Sequence, residues 1–386
     1  MIYQSPWLQG QDRAVLELIS EQRDRLKIYT QNSPKRWFGS LRRSTFARAI
    51  QGSNSIEGYH ASIDEAIAVV ADEPPLDERT ETWLAIKGYR EALTYITQAS
   101  QDRYFEFSKQ FLKSLHFMMI GFDMSKYPGQ WRPGGVWVAN ERTGKTVYEG
   151  PPVELVNDLV EELVDYLKAP VDNEPVIARA GMAHLNLTMI HPFKDGNGRM
   201  ARALQTFVLA REGILHPVFS SIEEWLGRNT DAYYAILAEI GQGIWNPTRD
   251  ALPWIRFCLR AHYQQAATLI RRNEEYSLLY EELTELAHGL DIPERSTLPL
   301  FDAALGFRLT NARYRNDAEV SEVVASRDLK RLSDLGLLEP IGEKRGRFYK
   351  ATDKLHKIRR EARIAKADDL DPYEVIAARH PRLPGV

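Results

Sequence analysis

A mainly α fold is predicted: a helical bundle broken by one β-hairpin and followed by a small winged helix-turn-helix domain. Three features of the sequence carry this. Apolar residues recur at spacings of three and four along most of the chain, while alternating β-branched runs are scarce. The exception is 129–152, where Trp131, Val136, Trp137, Val138, Val147 and Tyr148 flank the polar turn 140–145, the pattern of a hairpin. Near Ile292 the texture changes to short helices followed by two short strand-like stretches around a basic turn.

In chain order, amphipathic helices are expected over 14–29, 80–99, 108–119, 153–167, 175–190, 198–212, 231–241 and 252–272, separated by Pro, Gly and Asp/Asn punctuation. Between the first two, 53–58 reads as the end of a short helix with Gly58 just past its last turn, where a left-handed residue is favoured. After the bundle come a short helix, a second helix over 321–332, and the strands of a two-stranded wing. The charged, Pro-containing tail after Lys366 is expected to be only partly ordered. The resulting division is 1–105 (N-terminal helical region), 106–270 (core), 271–300 (helical linker), 301–366 (winged helix-turn-helix) and 367–386 (tail).

Composition narrows the function. The chain has 386 residues, 44% of them hydrophobic, enough for two or three packed domains. Its net charge of −3 offers no overall cationic field for nucleic acid or an anionic membrane, so any such contact must be local. No apolar run approaches the ~18 residues of a membrane span and residues 1–11 lack a signal pattern, so a soluble, cytoplasmic protein is expected. The single cysteine, Cys258, excludes an intramolecular disulfide and a cysteine-built zinc site; within the apolar run 254–259 it reads as a core residue.

The chemistry concentrates in His191-Pro-Phe-Lys-Asp-Gly-Asn-Gly-Arg-Met-Ala-Arg202, which joins two expected helices. Gly196 and Gly198 let the backbone approach a ligand closely, and the helix that follows presents its positive end, so the segment is built to cradle phosphate. Arg199 and Arg202 start that helix, where cations oppose the dipole unless a polyanion is bound, and their guanidinium forks suit phosphate oxygens. Asp195 is suited to Mg²⁺ held jointly with substrate phosphates. His191 can accept a proton from an attacking hydroxyl near neutral pH, and Phe193 is expected to plug the core and fix the loop. Taken singly, each residue fits an ordinary Gly-Asn-Gly turn; their ordered combination in one linker does not.

These twelve residues match every fixed position of the Fic-domain signature, His-x-Phe-x-acid-Gly-Asn-Gly-Arg-x-x-Arg. The surroundings resemble the family too: Ala183-His184 and Ile190 before the motif, and Gly129-Gln-Trp-Arg132 with the hairpin as a target-docking flap. The similarity spans about 40–265. It implies a Fic-type bundle and transfer of AMP from ATP to a protein hydroxyl, with release of pyrophosphate. The implied roles are His191 as base, Asp195 as Mg²⁺ ligand, Asn197 with the Gly196 and Gly198 backbone at the α-phosphate, Arg199 at the β-phosphate and Arg202 at the γ-phosphate. Ser53-Asn-Ser-Ile-Glu57-Gly58 resembles the family's inhibitory motif, which implies that Glu57 reaches Arg202 and blocks productive ATP binding. In some relatives the same glutamate supports AMP removal.

The implied partner is a protein bearing a Ser, Thr or Tyr hydroxyl, paired along the flap edge by main-chain hydrogen bonds. Trp131 and Trp137 are either packing residues or target contacts. Asn229, Tyr233 and Tyr234 are candidates to line an adenine slot, although tyrosines at helical spacing are more often core. In 301–366, sixteen Lys and Arg face ten Asp and Glu, a local +6 that favours a polyanion partner. Arg327, Lys330 and Arg331 on the second helix, with Lys344, Arg345 and Arg347 in the wing, are the candidate DNA contacts; a protein partner and homodimerisation stay open. The leading reading is an autoinhibited adenylyltransferase using ATP and Mg²⁺. The alternatives are a de-AMPylase or another nucleotide-derived transferase at the same site, and a DNA-binding regulator with a nucleotide-sensing core.

Overall fold

The helical periodicity of the sequence folds into a helical bundle in a computed structural model. It describes residues 1–386 except 32–36, 76–79, 140–145, 170–172, 214–216, 344–345, 366–369 and 380–386. The elements are α1 Gly10–Gln31, α2 Phe38–Ile56, α3 Ile63–Val70, α4 Glu81–Ala99, α5 Lys109–Ile120, β1 Trp137–Ala139, β2 Thr146–Glu149, α6 Val153–Lys168, α7 Val176–Ile190 and α8 Asn197–Arg211. They continue as α9 Pro217–Ser220, α10 Glu223–Arg228, α11 Thr230–Gly241, β3 Gly243–Ile244 and α12 Leu252–Gly289. The C-terminal part holds α13 Thr297–Ala304, β4 Leu309–Thr310, α14 Asn311–Ala318, α15 Glu322–Asp334, β5 Leu338–Ile341, β6 Phe348–Ala351, α16 Asp353–Glu361 and α17 Pro372–Arg379.

Side-chain caps fix where several helices begin. Ser62 and Glu65 form a capping box at α3, the Thr80 hydroxyl accepts from the Trp83 N–H at α4, and that of Ser108 accepts from Phe111 at α5. The centre is the α7–α8 hairpin. Nearly every side chain of both helices is buried, as required of helices surrounded on all sides. One stripe of α6 (Val156, Leu159, Val160, Leu163, Val164, Leu167) packs into the same core.

Two apolar cores result. The larger gathers α1, the end of α2, α4 to α8 and the first half of α12, while the second is built from the other half of α12, α13 to α16 and the beginning of α2. Helices α2 and α12 therefore belong to both. Asp302, fully buried, clasps Arg43 of α2 at 2.8 Å and Arg313 of α14 at 2.7 Å, fastening the C-terminal part to α2. At the other end of α2, a Cβ on Gly52 would lie 2.5 Å from the Glu223 carbonyl oxygen, and one on Gly227 would lie 2.6 Å from the Gly52 Cα. Two glycines thus let α2 and α10 cross in backbone contact.

Strands β1 and β2 pair antiparallel, with Val138 opposite Tyr148, and β3 adds to β2 in parallel, a third strand the sequence reading lacked. The expected turn 140–145 lies outside the described residues. The C-terminal strands form a second sheet in the order β4-β6-β5, with β5 and β6 as an antiparallel hairpin.

Two expectations need correction. The helix ending at 53–58 is not short: it is the 19-residue α2, hidden because its Arg, Ser, Thr and Gly content shows little apolar periodicity. The helix expected to stop at 272 runs on to Gly289, because Tyr276, Leu279, Leu283 and Ala287 continue the spacing toward the second core. In the tail, α17 packs back on the bundle: Arg260 donates to Asp371, just before the helix, at 2.8 Å, and the Tyr373 hydroxyl donates to Asp12 at 2.9 Å. Cys258 is fully buried. No helix among the described residues is long and apolar enough to cross a membrane.

Candidate active site

His191 caps α7 in the left-handed conformation, φ 51°, unusual for a residue with a side chain and a mark of a position held by its surroundings. Its Nδ1 lies 3.2 Å from the Thr188 carbonyl oxygen, which assigns the proton to Nδ1 and leaves the Nε2 lone pair free to accept. Burial lowers the imidazole pKa, against the opposing pull of the Thr188 bond and the Glu57 charge, so the ring is neutral at pH 7.

The loop after it is held from three sides. Arg132 donates from its backbone to the Pro192 carbonyl at 2.8 Å and from Nε to the His191 carbonyl at 2.9 Å. His116 stacks on Phe193 with centroids 3.8 Å apart, and accepts the Gly129 N–H at Nδ1, so its Nε2–H donates to the Asp195 carbonyl at 2.9 Å. Burial pushes His116 down to about 4, keeping it neutral in this role. Asn197, expected at the α-phosphate, engages both amide atoms with the Phe193 backbone at 2.9 Å each, so its side chain shapes the loop. The backbone N–H groups of the first turn of α8 have no intrahelical partner and can meet an anion. Gly196 sits at φ 78°, and a Cβ there would lie 2.8 Å from Ile120 Cδ1, so the turn requires glycine.

The two arginines differ in their pairing. Arg199 is fully buried, and none of its three guanidinium nitrogens has a hydrogen-bond partner; Asp195 is 3.8 Å away and the Tyr59 ring lies under the guanidinium at 5.0 Å. Arg202, equally buried, donates from Nε to Ser53 Oγ at 2.7 Å, and from Nη2 to the Ser53 carbonyl at 3.0 Å and to Glu57 Oε1 at 2.6 Å. Despite the opposing cost of burial, the Glu57 charge holds the Arg202 pKa above its usual value. The Glu57 carboxylate also lies where a Cβ on Gly198 would be, directly against the cradle. Gly58, at φ 81°, ends the helix that carries it. Asp195 stays ionised: burial opposes this, but Arg199 and Lys126, the latter at 3.1 Å, hold its pKa down. Among the described residues no group of three or more His, Cys, Asp or Glu is poised to hold a metal, so Asp195 suits only an ion shared with substrate phosphates.

Residues 106–209 match the Fic/DOC family. The chain carries a Fic/DOC domain. It is 26% identical over 300 residues to the protein adenylyltransferase Fic of Nematostella vectensis, covering 75% of this chain and 64% of the relative. It is 25% identical over 261 residues to the protein adenylyltransferase fic-1 of Caenorhabditis elegans, covering 66% of this chain and 46% of that one. The chain thus spans about half to two thirds of the length of these relatives. Its fold is similar to that of a Fic family protein from Desulfovibrio desulfuricans G20 at 21% identity, with a TM-score of 0.59 over 91% of this chain and 98% of that one. It is also similar to Fic-1 from C. elegans at 22% identity, with a TM-score of 0.54 over 67% of this chain and 72% of that one.

Around the Fic motif, the adenine candidates separate. Tyr233 is a core residue: it is fully buried with its hydroxyl 2.9 Å from His184 Nε2, inside a network that continues to Gln205. Asn229 donates its amide to the Trp225 carbonyl at the junction of α10 and α11. Tyr234 is half exposed and donates to the Ile56 carbonyl at 2.9 Å, tying α11 to the end of α2. In the flap, Trp131 packs on Phe193 at 5.0 Å, whereas Trp137 is 59% exposed. Of the basic candidates on α15, Arg327 and Lys330 are exposed, but Arg331 is tied to the Leu290 carbonyl and Asp291. Arg347 is exposed; Lys344 and Arg345 lie outside the described residues.

His116 and Arg132 are positioning residues that the sequence did not single out for these roles. Their partners lie 79 and 59 residues away, and no local pattern announces such contacts.

Proposed function

We propose that this chain is a protein adenylyltransferase that transfers AMP from ATP to a Ser, Thr or Tyr hydroxyl of a protein target, releases pyrophosphate, and is restrained by Glu57. The observation that carries this is the state of the two motif arginines. A buried guanidinium without hydrogen-bond partners and with its nearest carboxylate only at ion-pair distance, as at Arg199, is costly unless a further anion meets it. Its neighbour Arg202 is already neutralised by a carboxylate from another helix. The cradle is thus a polyphosphate site with one of its two cations occupied from within. The names of the curated relatives support the same activity.

In this reading, His191 Nε2 takes the proton of the target hydroxyl as its oxygen bonds to the α-phosphorus. Pyrophosphate leaves with the electron pair of the bond broken. The first-turn N–H groups of α8 and the buried Arg199 stabilise charge on the phosphates where water is excluded, and Arg202 joins them once Glu57 withdraws. Asp195 would hold Mg²⁺ together with those phosphates, and the ion would offset their charge. The target would pair along the outer edge of β1, free because the sheet order is β1-β2-β3, with Trp137 beside it.

Parallel incubations with Mg²⁺ and either α- or γ-labelled ATP, with and without host lysate, test the reading on Glu57→Gly. Label retained in protein from the α position only is expected. Retention from the γ position would replace the reading with a kinase, and no retention from either would shift weight to AMP removal or another donor.

A further inference from the structure

A second cationic site lies away from the Fic motif, where the bundle meets the C-terminal part. A cavity of about 360 Å³ opens between α2, α10, α12 and α16, and six arginines reach it: Arg48, Arg228, Arg271, Arg272, Arg359 and Arg363. Two carboxylates share it. Glu224 bonds Arg272 at 2.6 Å, and Glu275 bonds Arg271 at 3.5 Å while accepting the Ile364 N–H. Four positive charges are left over. Arg272 is 92% buried as a residue, yet its Nη1 has no partner, and Arg48 Nε is likewise buried and unpartnered.

Like charges gathered in a poorly solvated space repel, and the groups register it. Burial, the nearby Arg272 and also Arg228 lower the Arg48 pKa against the pull of Glu224; burial, Arg48 and Arg363 lower that of Arg359. Burial raises Glu224, but Arg272, Arg48 and Arg228 outweigh it and bring it down to about 2. Six forked donors converging from four elements with excess charge fit an anion that offers several oxygens in different directions. A single carboxylate would satisfy one fork. The cavity is at the small end of ligand pockets and is recessed among helices, which suits a compact ligand better than a duplex.

We infer that this cavity is a binding site for a small polyphosphate anion, with pyrophosphate the smallest member of the class, held by Arg48, Arg272 and the arginines around them. The ligand would bridge α2, α10 and α12 to α16, joining the bundle to the C-terminal part. The inference does not depend on the reaction proposed above.

Isothermal titration of the full chain with pyrophosphate tests it in three forms: wild type, Arg199→Gln to weaken the Fic cradle, and Arg228→Gln/Arg363→Gln. The last pair is exposed, so the fold should persist. Saturable binding that survives Arg199→Gln and weakens at least tenfold in the double variant is expected. The thermal midpoint of the Arg199→Gln chain should rise by about 3 °C at a hundredfold excess of ligand over its dissociation constant, and the double variant should lose that shift. No saturable binding in Arg199→Gln would overturn the proposal. So would unchanged affinity in the double variant, or a duplex oligonucleotide binding through these arginines where pyrophosphate does not.

Discussion

Replacing Glu57 by glycine removes one short contact and should change two measurable properties in opposite directions. The contact is a charge-assisted hydrogen bond of 2.6 Å to an arginine with a fully buried side chain, from a carboxylate whose own side chain is 22% exposed. Such a bond contributes about 1.5–3 kcal/mol. If Arg202 must leave Glu57 before ATP can sit productively, removing a contribution of about 1.5–3 kcal/mol raises the productive fraction by about 13- to 160-fold. Stability moves the other way. Arg202 keeps both bonds to Ser53 but loses its counter-charge, so the nucleotide-free variant should be less stable by about 1–3 kcal/mol. ATP should restore more of that loss than it adds to wild type. Rates of protein labelling at saturating ATP, with thermal midpoints taken with and without ATP, read both effects. Labelling within twofold of wild type, in a variant whose midpoint shows it folded, would refute the reasoning.

Gly52→Ala should also raise labelling without touching the ion pair, because its Cβ cannot coexist with the Glu223 carbonyl and α2 must move off α10; the strain should cost about 1–3 kcal/mol of stability. Unchanged labelling with a lowered midpoint would mean that the seating of α2 does not set the restraint. The pH profile of labelling should be flat from pH 7 to 8 and fall tenfold per unit on the acid side, with its midpoint below the ordinary 6.5 of histidine, since burial lowers the His191 pKa and the neutral ring is the base. A midpoint above 6.5 would contradict that assignment. Glu223 is fully buried and burial pushes its pKa up to about 7, against the pull of Arg202 and of its hydrogen bonds. Its contribution to stability is therefore present below the unfolded value near 4.5 and lost as pH rises through 7. Glu223→Gln should stabilise the protein at pH 8 by an amount on the order of 2 kcal/mol and change little at pH 4.5, as denaturation at the two pH values would reveal.

What the sequence disclosed follows from how local each feature is. The segment 191–202 stood out in the sequence because its glycines, carboxylate and arginines, the set a phosphate site at a helix start would need, fall within one turn and its preceding loop. The bundle was legible because helices such as α6 write their buried face as a stripe. Helix α2 was not, since close crossing through Gly52 and a polar composition replace that stripe. Glu57 could be named by resemblance, but its distance to Arg202 depends on packing between segments 145 residues apart. The same holds for His116 and Arg132 behind the motif. Which of Tyr233 and Tyr234 is buried was not legible, because helical spacing does not say which face of α11 turns inward. The arginine-lined cavity left no trace in local sequence, because its arginines come from four separate stretches of the chain.

The most direct measurement of the central claim is incorporation of α-labelled AMP into protein by wild type, Glu57→Gly and Glu57→Gly/His191→Ala under matched Mg²⁺ and ATP. The account predicts weak labelling in wild type, strong labelling in the single variant and none in the double. Equal labelling of the single and double variants would contradict His191 as the base, and labelling of wild type as strong as that of Glu57→Gly would contradict Glu57 as the restraint.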